Sequence, residues 1–216
     1  MKTTTLLLTC ASAVLLLAGP STTAPAEKKV EATPMDIEDG VLDEVHLKVA
    51  TIPAGVPVVI RPFSTDDTDL GSGAEGGKEK RVEAARVVVK VAPEILAQKA
   101  AVTLKEVGLY KDVLTDPTAE IPADALVVEG RFITIDPGNR AKRYWVGFGA
   151  GASGVSVEGT VKDASGKLLA EFKHRKASGI GIGGGDYFKF LTDDVKDVGE
   201  DIAKFLSAWG GGKPLK

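Results

Sequence analysis

The C-terminal stretch places the tightest constraint on how this chain folds. Phe188, Leu191, Val195, Val198, Ile202, Phe205 and Trp209 recur at alternating steps of three and four residues. Side chains at that spacing share one side of an α-helix. Lys189, Asp193, Lys196, Asp197, Glu200 and Lys204 occupy the other sides. Asp186 stands at the N-cap position, and Gly210-Gly211-Gly212 followed by Pro214 ends the helix. Such a stripe must be covered, and the domain's own sheet is expected to cover it rather than a coiled-coil partner.

Upstream, the apolar period drops to two. Val45, Leu47 and Val49 alternate with Glu44, His46 and Lys48, a half-buried strand. Residues 56–63 carry Val58-Val59-Ile60 in succession and read as a strand buried on both faces. Residues 109–114 and 125–135 read as strands separated by a Pro-bearing loop. Asp136-Pro137-Gly138-Asn139 is a turn, which predicts residues 140–146 as the returning arm of a hairpin. A second hairpin is clearer. Val155, Val157 and Val161 alternate with polar residues, Asp163-Ala164-Ser165-Gly166 turns the chain, and Leu168, Ala170 and Phe172 alternate with Glu171 and Lys173.

Residues 79–107 conflict internally. Ala84, Val88, Val91 and Ile95 have helical spacing, with Leu96, Ala100, Thr103 and Val107 continuing the face. Val87-Val88-Val89 favours a strand, and Pro93 costs a helix interior about 3 kcal/mol. A helical region kinked or broken at Pro93 is expected, with a strand at 84–91 as the alternative. The whole predicts an α+β domain over residues 44–210, with about two helices on one face of a largely antiparallel or mixed sheet. Residues 27–43 read as a linker and 211–216 as a tail.

The N-terminus is built for export. Met1-Lys2 precedes an uncharged apolar run to Ala18, and Ala24-Pro25-Ala26 supplies the small residues of a cleavage site after Ala26. A membrane anchor is the alternative, but spanning takes about 20 apolar residues and Gly19-Pro20 ends this run early. Cys10 is the only cysteine. Lipidation there is disfavoured, because Leu7-Leu8-Thr9 is a poor lipobox and residues 14–18 would remain as an apolar extension. Loss of residues 1–26 removes the cysteine, and with it disulfides and thiol chemistry. It also removes one lysine, taking the net charge from −3 to −4, which argues against a nucleic-acid partner.

The candidate sites are few. Gly149-Ala150-Gly151-Ala152-Ser153-Gly154 matches the dinucleotide fingerprint in letters, but its third glycine opens a strand pattern instead of a helix. Gly183-Gly184-Gly185 precedes the last helix, where free N–H groups favour an anion, yet it lacks the Lys-Ser/Thr of a phosphate-binding loop. Asp66-Asp67-Thr68-Asp69 lacks the distant Glu of a calcium loop. His46 and His174 are isolated, and Asp193, Asp194, Asp197 and Asp201 read as a solvated helix face. Arg140, Arg143 and Trp145 form the one basic–aromatic cluster, able to hold an anionic group or to protect a hairpin edge. No catalytic set and no cofactor motif emerges.

The run Gly138-Asn139-Arg140-Ala141-Lys142-Arg143-Tyr144-Trp145-Val146-Gly147-Phe148-Gly149-Ala150-Gly151, followed by Val155-Ser156-Val157-Glu158 and Asp163-Ala164-Ser165-Gly166-Lys167, resembles a bacterial envelope family known as domain of unknown function 4410. The resemblance runs from about residue 56 to 209. It implies export, frequent lipid attachment at the outer membrane and an α/β domain, and it brings no established activity. The expectation is an exported, periplasmic or outer-membrane-associated protein. It is expected to be non-enzymatic and to bind an envelope protein or the membrane surface. A small-ligand or anion-binding module, and an enzyme, are the alternatives.

Overall fold

The computed structural model describes residues 35–37, 41–71, 79–138, 153–177 and 186–212, all within one compact unit, Ala32–Lys216. The strands are β1 (Met35–Ile37), β2 (Glu44–Leu47), β3 (Pro57–Ile60), β4 (Asp112–Leu114), β5 (Leu126–Asp136), β6 (Gly154–Asp163) and β7 (Leu168–Lys176). The helices are α1 (Glu79–Val107), between β3 and β4, and α2 (Tyr187–Gly210), after β7. Among the described residues the strands form one sheet in the order β1-β2-β7-β6-β5-β3-β4. β3 is parallel to β4 and β5, and the other neighbours are antiparallel. Parallel strands need a crossover, and α1 supplies it between β3 and β4. The fold is a mixed-sheet α+β domain.

The β6–β7 hairpin follows from its turn residues. Gly166 takes φ +86°, and Asp163 Oδ1 accepts from the Ser165 and Lys167 N–H groups and the Ser165 hydroxyl. With the turn set, alternation directs Val155, Val157, Val161, Ala170 and Phe172 to one face, where both helices contribute to the same core. Gly130 and Gly159 stand directly opposite each other on β5 and β6. Their missing side chains make room for aromatic rings. A Cβ on Gly159 would lie 2.4 Å from Phe172 Cζ, and one on Gly130 2.6 Å from Phe63 Cε2. Phe132, Phe63, Phe172, Phe205 and Trp209 form a continuous file with centroid separations of 5.4–6.5 Å.

α2 forms as its stripe requires. Asp186 caps it by accepting from the Lys189 N–H, and the stripe is fully buried from Leu191 to Trp209. Phe188 is the exception at 40% exposed, because it sits in the first turn beyond the sheet's cover. α1 runs unbroken through Pro93. Proline removes the N–H that would bond the Val89 carbonyl. Burying Leu96 and Leu104 completely gains about 3–6 kcal/mol, enough to offset that loss. The inner face of α1 is Ala85, Val88, Ala92, Leu96, Ala100 and Leu104. Val107, expected to be inside, is 52% exposed in the last turn. The two helices pack against each other, with Leu96 and Ala100 of α1 against Gly199 of α2.

The fold begins before residue 44. β1 lies inside the segment read as a linker and pairs with β2, and Leu42 is buried in the core. The arm expected at residues 140–146 lies outside the described residues. β5 takes β6 as its antiparallel partner along its whole length, from Leu126↔Asp163 to Asp136↔Gly154.

Candidate functional site

Because strand side chains alternate, turning the apolar set toward the helices sends a charged set to the opposite face. Glu44 and His46 from β2, Glu171 and Lys173 from β7, Glu158 and Lys162 from β6, and Glu129 and Arg131 from β5 share that face. They pair across strands: Arg131 with Glu158 at 2.6 Å, Lys48 with Glu171 at 3.0 Å, Lys173 with Glu44 at 3.3 Å, and Lys162 with Glu129. His46 Nε2 lies 2.7 Å from Glu44 Oε1. Hydrogen bonds from His46 and Lys173 hold the Glu44 carboxyl below the usual carboxylate range. Water reaches every one of these pairs, so they add little to stability. Their main effect is to present both signs of charge in alternation.

At the β3 end of this face, the Arg61 guanidinium donates to the carbonyls of Asp116, Pro117 and Ala119. It thereby pins the loop before β5. A small second apolar cluster, Val59, Ala125, Val127 and Leu114, lies on the same side. Between Arg61 and His46 the face holds a depression of about 830 Å³, lined also by Ser64, Arg131, Lys162 and Glu171.

A second polar cluster lies on the helix side of the sheet. His174 is in phase with Ala170 and Phe172, so it turns inward and is 6% exposed. Its Nε2 is 3.2 Å from Asp201 Oδ2 on α2, and its Nδ1 is 3.2 Å from Asp43 Oδ2 just before β2. Lys176 approaches Asp201 Oδ2 to 2.5 Å, and Lys204 approaches Oδ1 to 3.4 Å. Burial opposes the charge on Asp201, but Lys176, His174 and Lys204 outweigh it and hold the carboxyl below the usual aspartate range. A cavity of about 500 Å³ opens beside these groups. Nε2 is taken up by Asp201, whereas Nδ1, though near Asp43, makes no hydrogen bond among the described residues.

This cluster corrects the reading of the α2 aspartates as a solvated face. Asp194 is fully buried and Asp201 is 6% exposed, because both lie on the border of the apolar stripe, where sheet and helix meet. Only the phases were legible in the sequence, not the meeting of these groups. His174 continues the inward phase of Ala170 and Phe172, and Asp194 and Asp201 are seven residues apart.

Of the other candidates, Arg140, Arg143, Trp145, Cys10, Ala26, Gly149–Gly151 and Gly183–Gly185 lie outside the described residues. Gly154, the third glycine of the fingerprint-like run, opens strand β6, so the helix a dinucleotide site requires does not follow it. In the acidic loop, Asp69 Oδ1 accepts from the Gly71 N–H and Asp66 Oδ2 from the Ser64 hydroxyl, so these carboxylates serve local turns. Among the described residues no three His, Cys, Asp or Glu side chains are grouped to hold a metal ion. No described helix is long and apolar enough to cross a membrane.

The family model described as Domain of unknown function (DUF4410) matches residues 58–181, more than half of the chain. The chain belongs to that family. The match runs from β3 to just past β7, so most of the charged sheet face and His174 are part of the family domain, while Asp43, β2 and α2 lie beyond it. No curated protein matches the sequence. Similar solved structures include a PelC dodecamer from Paraburkholderia phytofirmans, at 15% identity and a TM-score of 0.41, covering 74% of this chain and 96% of that one. A single-substitution variant of that dodecamer is 18% identical, with a TM-score of 0.39, covering 74% and 95%. An uncharacterized protein of known structure is 12% identical, with a TM-score of 0.44, covering 73% and 96%.

Proposed function

We propose that this DUF4410 chain is an exported, non-enzymatic binding component of the bacterial envelope, and that a protein partner docks on the sheet face opposite the helices. The observation that carries the reading is that face itself, with its depression of about 830 Å³ and its alternating Lys, Arg and Glu side chains. A surface presenting both signs suits a polypeptide of mixed charge. It suits nucleic acid or an anionic membrane poorly, since both call for a predominantly basic patch. Export is supported by the basic start, apolar run and small-residue exit of residues 1–26.

The test compares two forms of the exported chain, wild type and Arg131→Glu/Lys162→Glu, crosslinked in envelope extracts. A partner recovered with the wild type and lost with the charge-reversed face supports the reading. Equal recovery by both forms, or recovery by neither, overturns it. Mass spectrometry of the exported chain should find Glu27 as its first residue.

A further inference from the structure

We propose that the groove between the first turns of α1 and α2 is a second docking surface, and that its occupant is a polypeptide segment of a partner that sets a lysine or arginine beside a large apolar side chain. The apolar stripe of α2 starts before the core does: Leu191 is fully buried, but Phe188 is 40% exposed. On α1, Val88 is buried in the core and its neighbour Val87 is 37% exposed. Together with the half-buried Ala84 and Tyr187, these two side chains form the apolar lining of a groove of about 720 Å³. Clefts that bind ligands span roughly 300–1,000 Å³, so this one has room for more than one side chain.

The Tyr187 wall is set in advance. The Arg81 guanidinium lies 5.7 Å from the centroid of its ring and donates to the Gly138 carbonyl at 3.1 Å. A wall already ordered lowers the entropic cost of docking.

The charges at the groove select the occupant. Glu79, Glu83 and Asp186 line it against a single cation, Lys80. Asp186 spends Oδ1 on capping the Lys189 N–H. Glu79 stands in the first turn of α1, where a carboxylate complements the helix dipole. Glu83 lies a turn further on, where that effect has faded, and it is exposed with no ion pair among the described residues. Its charge is therefore left for a ligand. Such a rim repels phosphate headgroups and acidic segments and attracts a cation. A lysine or arginine can lay its methylene stem along the apolar wall and hold its head at the carboxylates. An adjacent aromatic or aliphatic residue then packs against Phe188 and Val87, as at the apolar centre of an interface with a polar rim. A polypeptide supplies both side chains within a few residues.

Fluorescence anisotropy with the purified chain and three labelled peptides tests this. The first peptide alternates lysine with tryptophan and phenylalanine, the second has glutamate in place of lysine, and the third has serine in place of the aromatic residues. The first should bind far more tightly than the others, and Glu83→Lys and Phe188→Ser should each weaken it roughly ten-fold. If Phe188→Ser fails to fold, the exposed Glu83 site still decides. Glu171→Lys on the sheet face changes the net charge by the same amount and should leave binding unchanged, which separates this groove from the surface proposed above. No binding of the first peptide, equal binding of either control peptide, binding that survives Glu83→Lys, or an equal loss with Glu171→Lys overturns the proposal.

Discussion

Gly199→Ala sets two well-characterised effects against each other. Gly199 lies in the middle of α2, where alanine improves intrinsic helix stability by about 1 kcal/mol. On propensity alone the variant would be more stable. The structure reverses that sign. A Cβ at residue 199 would stand 2.6 Å from the Leu96 carbonyl oxygen and 3.3 Å from the Ala100 nitrogen. Both obstacles are backbone, so neither can rotate away. Restoring ordinary contact near 3.4 Å requires the helices to separate by about 0.8 Å. α2 also carries Phe205 and Trp209, stacked at 5.4 Å, and Phe205 lies 6.3 Å from Phe172 on the sheet, so the shift spreads into the aromatic file. Overpacking of this kind costs about 1–3 kcal/mol. The rigid backbone obstacle places the cost in the upper part of that range, about 2–3 kcal/mol, and subtracting the helix gain of about 1 kcal/mol leaves a net loss of about 1–2 kcal/mol. For a domain of this size that lowers Tm by about 2–8 °C. Urea denaturation at unchanged m-value is the assay. A higher midpoint than wild type would refute the close-packed α1–α2 contact.

Two further expectations concern the same helix. Tyr110 donates its buried hydroxyl to the Leu206 carbonyl at 2.7 Å, and burial pushes the phenol well above its usual range; Tyr110→Phe should cost about 1–2 kcal/mol in urea denaturation, and an unchanged midpoint would count against that bond. Glu200 is held by Lys204 and then Lys99, which lower its carboxyl to about 2. A depressed folded value stabilises above the unfolded value and is lost as pH falls through the folded one. The stability difference between wild type and Glu200→Gln should therefore be present at pH 7 and fade between about pH 4.5 and 2. About one-third exposure of the side chain limits it to under about 1 kcal/mol.

The sequence by itself determined the class of the fold and most of its elements. α2 was legible because seven apolar residues at helical spacing leave no other way to bury them together, and β6–β7 was legible because alternation and the Asp163–Gly166 turn agree. Both signals are local. For α1 the local signals conflicted at Pro93, and long-range burial of Leu96 and Leu104 settled it. The start of the fold was misplaced for the same reason: Leu42 belongs to the core only because β2 pairs with β7, more than a hundred residues away. Sequence pattern alone puts the charged residues of β6, β7 and α2 on solvated faces. That holds for the sheet face, whose phase opposite Val157, Val161 and Phe172 the alternation already fixes. It fails for Asp194 and Asp201, whose position at the border of the stripe becomes burial only once the helix is seated on the sheet. The meeting of Asp43, His174 and Asp201 was decided by tertiary structure alone, because strand register and helix docking bring together three segments that share no motif.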